Sequence, residues 1–99
     1  MFVVIWEFIV KPEHRAAFDG AYRPDGDWAR LFRRCDGYVA TELLRDPEQP
    51  QRYLTIDRWR LPEDYVAGMA LIAADYQALD ARCAGWTVSE RRLGDFVSD

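Results

Sequence analysis

The chain has 99 residues, 13 basic and 17 acidic side chains, a formal charge of −4 and 49% hydrophobic residues. That length fits one domain, residues 1–99, with a single small core, and the acidic balance argues against a grip on a phosphate backbone. The longest apolar run, Phe2 to Trp6, is far too short to span a bilayer and lacks the flanks of a signal peptide, so the expected setting is cytoplasmic, with no membrane partner.

Residues 2–10, FVVIWEFIV, are β-branched and aromatic around one charge, the pattern of a strand covered on both faces. Val4, Trp6, Phe8 and Val10 share one face; Val3, Ile5, Glu7 and Ile9 share the other. Lys11-Pro12-Glu13 stops the strand and opens a helix over 13–22, with proline at a first-turn position. Arg23-Pro24-Asp25-Gly26 is a turn, and Asp25 or Asp27 caps a second helix over 27–34. A strand at 38–45 follows, then a hairpin loop at Asp46-Pro47-Glu48-Gln49-Pro50. The strand at 52–60 alternates cleanly, with Tyr53, Thr55, Asp57 and Trp59 on one face. Pro62 and two acids open a long helix over 63–83, whose face is Tyr65, Met69, Ile72, Tyr76, Leu79 and Cys83. Gly85 caps it, and a last strand fills 86–93.

The order β-α-β-β-α-β predicts an α+β, ferredoxin-like fold, a four-stranded antiparallel sheet with helices on one face. The sheet's other face needs a cover. Trp6 and Phe8 are read as facing away from the helices, and a second copy of the chain is the simplest partner.

The segments IWEFIVKPEH, FDGAYRPDGDWARLF, DPEQPQRYLTIDRW and SERRLGDF carry a resemblance over roughly residues 2–96. In this order and spacing they resemble the antibiotic biosynthesis monooxygenase family. The resemblance implies a dimeric α/β barrel, two ferredoxin-like subunits paired sheet on sheet, with a ligand cavity between sheet and helices in each. Relatives of this kind include cofactor-free quinol and polyketide anthrone monooxygenases, haem-degrading oxygenases and some isomerases. The haem-degrading branch uses Asn on the first strand and Trp and His on the long helix. Ile5, Gly68 and Ala78 stand near those positions here, so haem degradation is not implied. The polyketide-oxidising branch pairs Asn with Trp, Tyr and Arg in its pocket. This chain has no Asn, so that set is incomplete.

Cys35 and Cys83 lack a CxxC spacing, and His14 is the sole histidine. No metal site, haem or flavin is therefore expected. His14 reads as an idle surface group or a proton relay at a cavity mouth. The surplus is aromatic, with four Trp, five Tyr and five Phe. Tyr22 and Tyr76 are candidate hydroxyl donors, and Phe18, Trp28, Phe32, Tyr65, Met69 and Trp86 candidate walls, for a flat aromatic ligand. The competing reading is a solid aromatic core, marked by a closed cavity below about 100 Å³, where a ligand site needs roughly 300 Å³. Glu7 is the candidate base, since an unpaired buried carboxylate has a raised pKa. Alternatively it pairs with Arg58, Arg91 or Arg92. Asp57 and Glu90 sit on neighbouring strands and join Glu7 only if all three share a face. Taken with the family resemblance, these residues imply a cofactor-independent monooxygenase oxidising a hydroxylated aromatic, quinol or polyketide-like molecule. The alternatives are a non-catalytic binding module and an isomerase or cyclase of the same fold.

Overall fold

The β-branched and aromatic run at the start forms strand β1, Phe2–Val10, in the computed structural model, which describes residues 1–99. Pro12 ends it and begins a single 3-10 turn, Pro12–His14, ahead of helix α1, Arg15–Tyr22. Helix α2 is Asp27–Phe32, two residues shorter than its sequence pattern. The turn between them requires Gly26, because a Cβ there would fall 2.6 Å from the carbonyl oxygens of Gly20 and Ala21. Strands β2, Tyr38–Arg45, and β3, Arg52–Trp59, form a hairpin whose loop is fastened by Asp46 Oδ1 accepting the backbone N–H groups of Glu48 and Gln49.

The long helix is two helices, α3 at Pro62–Leu71 and α4 at Ala73–Cys83. Ile72 between them leaves helical dihedrals, at φ −102° and ψ 12°. Backbone bonds from Ile72 to Gly68 and from Tyr76 to Ile72 persist, so the apolar periodicity crosses the break. Residues 84–86 form a 3-10 turn where a simple glycine cap was expected. Strand β4 runs Thr87–Val97, past its expected end at 93. Gly94, at φ +143°, sits in a bulge against Ile5 and Trp6, and the bulge lets the ladder resume where a glycine normally signals a stop.

The sheet order is β2-β3-β1-β4, antiparallel throughout, as the βαββαβ order requires. The core lies between the sheet and the helices, with Phe8 and Val10 of β1 and Tyr53 and Trp59 of β3 against Phe18, Tyr22, Trp28 and Phe32. Phe8 lies 5.3 Å from the Phe18 ring and 4.9 Å from the Tyr22 ring. This reverses one expectation. Phe8 and Trp6 face the helices, and the uncovered face carries Val3, Ile5, Glu7 and Ile9, whose register mates on β3 are Arg58, Ile56, Leu54 and Arg52. β1 is apolar on both sides, so only packing against the helices decides which face turns inward. No helix is long and apolar enough to cross a membrane.

Candidate functional site

Strand parity and two short helices build an aromatic cleft on the helix side of the sheet. β1 supplies Val4, Trp6 and Phe8 to its floor, and β3 supplies Thr55, Asp57 and Trp59. The Gly26 turn swings α2 so that Trp28 packs 4.8 Å from the Tyr76 ring of α4, edge to face, and 5.9 Å from Tyr22. Tyr65 and Met69 of α3 close one side, and Asp80 of α4 and Glu90 of β4 stand on the exposed rim. The cleft has a free volume of about 50 Å³ and opens to solvent on one side. A cavity of about 150 Å³ admits benzene, so the side chains as they stand leave room for a few waters only.

Of the expected site residues, Tyr22, Trp28, Phe32, Tyr65, Met69 and Tyr76 line this cleft. Three do not. Phe18 is fully buried behind it, stacked 4.1 Å from Tyr22. Trp86 packs on the edge of the core, where its carbonyl accepts the Lys11 N–H. Glu7 is on the opposite face of the sheet. Its carboxylate accepts from Arg52 Nε at 2.7 Å and lies 3.4 Å from Arg91. Arg52 also reaches Asp46 at 3.2 Å, so Glu7 belongs to an ion-pair network and is no base for this cleft. Arg91 is among the partners that the sequence offered; Arg52, which is two strand positions from the register mate Leu54, is not. His14 does not line the cleft either.

The carboxylate on the floor of the cleft is Asp57. Sequence reasoning placed it on the right strand without singling it out as the base. The signal was parity: Asp57 alternates with Tyr53, Thr55 and Trp59, so burying those residues turns Asp57 inward. Asp57 Oδ1 accepts a 2.6 Å hydrogen bond from Thr41 Oγ1, and Thr41 Oγ1 lies 2.6 Å from the Tyr38 hydroxyl. Thr41 has one proton and gives it to Asp57, so Tyr38 is the donor to Thr41. No cation pairs with Asp57. Burial raises its pKa from the ordinary 3.8 to about 6, partly offset by the Thr41 hydrogen bond. Burial, with the neighbouring Tyr65, Asp80, Asp57 and Glu90, pushes the Tyr76 phenol up to about 12. Tyr22 is raised further, chiefly by burial. Both phenols therefore keep their protons at neutral pH. The Trp28 and Trp59 indole N–H groups are buried without a partner in residues that line the cleft.

The sequence model of the antibiotic biosynthesis monooxygenase family matches residues 1–67. No curated protein matches the chain. Among solved structures, a candidate antibiotic biosynthesis monooxygenase from Nitrosomonas europaea superposes with a TM-score of 0.77 at 19% identity, covering 98% of this chain and 88% of that one. A like-named protein from Deinococcus radiodurans gives 0.76 at 19% identity, over 100% and 93%. SnoaB, a cofactor-independent oxygenase from Streptomyces nogalater, gives 0.69 at 20% identity, over 99% and 92%. At these identities the likeness is one of fold.

Proposed function

Because this chain belongs to the antibiotic biosynthesis monooxygenase family, we propose that it is a cofactor-independent monooxygenase acting on a hydroxylated aromatic molecule, with Asp57 as its base. The observation that carries this reading is the placement of Asp57, a carboxylate without a cation partner in an aromatic cleft, poised near pH 6. The fold likeness to SnoaB supports the cofactor-free chemistry.

The substrate class is one whose activated ring carbon carries two hydrogens, as in an anthrone. Asp57 removes the first proton, and the resulting carbanion is oxidised by dioxygen to a peroxide anion at that carbon. The protonated Asp57 returns its proton to the distal oxygen. The carboxylate then takes the remaining C–H proton, the O–O bond breaks, and hydroxide leaves with that proton as water. One oxygen atom stays as a carbonyl. The substrate supplies all four electrons, so no external reductant enters. Tyr76, kept protonated, donates to the developing ring oxyanion. A ring enters the 50 Å³ cleft by displacing the half-buried side chains of Met69, Tyr65 and Tyr76, and methionine moves aside most easily.

Oxygen uptake with an anthrone in metal-free buffer tests this. One O₂ consumed per substrate, no hydrogen peroxide, and loss of uptake in Asp57→Asn are the expected results. Tryptophan quenching by the same compounds with no oxygen uptake would favour the binding-module reading instead. The uncovered sheet face, with Ile5 and Ile56 opposite one another at its centre, is assigned in the same proposal to a second copy of the chain.

A further inference from the structure

The charges around the cleft are one-sided. Three carboxylates line it, Asp57 within and Asp80 and Glu90 on the rim, and no lysine, arginine or histidine does. None of the chain's ion pairs uses any of the three. Arg92 lies 6.0 Å from the Tyr65 ring centre and is already paired with Asp95 at 2.5 Å. The carboxylates also act on one another's surroundings. Glu90, exposed but partly desolvated by its neighbours, is raised by that desolvation and by Asp80, and the charges of Asp80, Asp57 and Glu90 all bear on the Tyr76 phenol. Between them stand Trp6, Trp28, Trp59, Tyr65 and Tyr76, rings whose faces attract cations.

This electrostatic setting works against an anionic guest and against the anion formed from a neutral one. When Asp57 takes a proton from a neutral aromatic, its negative charge passes to the guest, where Asp80 and Glu90 still repel it in a poorly solvated slot. A guest with its own positive charge removes that conflict. The geometry points to an amine-bearing aromatic as the ligand, its ammonium held at the rim by Asp80 and Glu90 and its ring in the aromatic slot beside Asp57. This inference rests on the reading of the cleft as an aromatic ligand site and narrows that reading to one charge class. A bound ammonium also stabilises the anion that forms when Asp57 takes its proton, so the same groups that select the ligand assist the reaction.

Three probes of one shape separate the possibilities: 1-naphthylmethylamine, 1-naphthalenemethanol and 1-naphthoate, titrated by tryptophan fluorescence at low salt and pH 7.5. The amine should bind about tenfold tighter than the alcohol, the scale of a partly desolvated cation over aromatic rings, and the carboxylate weakest. Added salt should shrink the amine's advantage without changing the alcohol. In the rim variant Asp80→Asn/Glu90→Gln, both positions exposed and tolerant, the amine should fall towards the alcohol. Equal binding of amine and alcohol, or tightest binding of the carboxylate, overturns the charge class and leaves the aromatic site standing. Binding of none of the three overturns both.

Discussion

Asp57 is held by one hydrogen bond and by the lack of any charge to neutralise it, and both have measurable consequences. A carboxyl whose folded pKa is raised binds its proton more readily in the folded state. Stability then falls as pH climbs from the ordinary 3.8 through about 6, and the deficit is full above that window. Asp57→Asn removes the deficit. The variant should lose turnover yet gain on the order of 2–3 kcal/mol of stability at pH 8, from roughly two pKa units at 1.36 kcal/mol each. Thermal denaturation at pH 8 and pH 3.5 checks this, because the gain should vanish at the acid end. Thr41→Val keeps the shape and deletes the donor that favours the charged carboxylate. The Asp57 midpoint should rise above 6, read from carboxyl carbon chemical shifts. A midpoint that stays put would show that Thr41 does not hold the group.

The elements explain what the sequence disclosed and what it withheld. Prolines and periodicity marked nearly every helix and strand, and the long periodic face of residues 65–83 is legible although Ile72 interrupts it. The caps are not legible: Gly26 stands at the start of α2 where Asp25 or Asp27 was expected, and no helix start carries a side-chain cap. The inward side of β1 was not legible. FVVIWEFIV carries no alternation, so Glu7 stands as the candidate base until the helices are placed, and its ion pairs with Arg52 and Arg91 on the far face then remove it. The cleft's size was illegible for a similar reason, since it depends on how α2 and α4 interleave their rings. Helix α2 bears most directly on the site. Trp28→Ala deletes a buried ring wedged among Tyr22, Phe32 and Tyr76. It should lower stability by about 3–5 kcal/mol, whereas Tyr76→Phe should fold normally and weaken aromatic binding by about 1 kcal/mol. Denaturant melts and probe titrations on the two variants check both. If Tyr76→Phe leaves binding intact, the ring cluster is core alone.

At the scale of the molecule, the sheet has one dressed face and one bare one. The bare face sets Ile5, Leu54, Ile56 and Leu44 among the ion pairs of Glu7 with Arg52 and Glu42 with Arg58. Apolar centre and charged surround are the anatomy of an interface. Sedimentation at micromolar concentration should return twice the 11.6 kDa of one chain. Ile5→Asp, which puts an unpaired charge opposite Ile56, should return the single-chain mass. A single-chain mass for the unaltered protein at high concentration would remove sheet-on-sheet pairing altogether.

The break at Ile72 bears on how so narrow a cleft receives anything. The wall over it is two pieces of 10 and 11 residues, each shorter than a helix needs to persist alone in water. Apart from Ile72, the two pieces bury only Gly68 and Cys83. Their amides should therefore open in local, low-energy excursions while β1 and β3 stay shut. Hydrogen–deuterium exchange should show residues 62–83 exchanging well ahead of the central strands, with protection of that stretch rising when an aromatic amine is present. Such a wall is a breathing boundary, and the volume that counts for a guest is the one reached during those excursions.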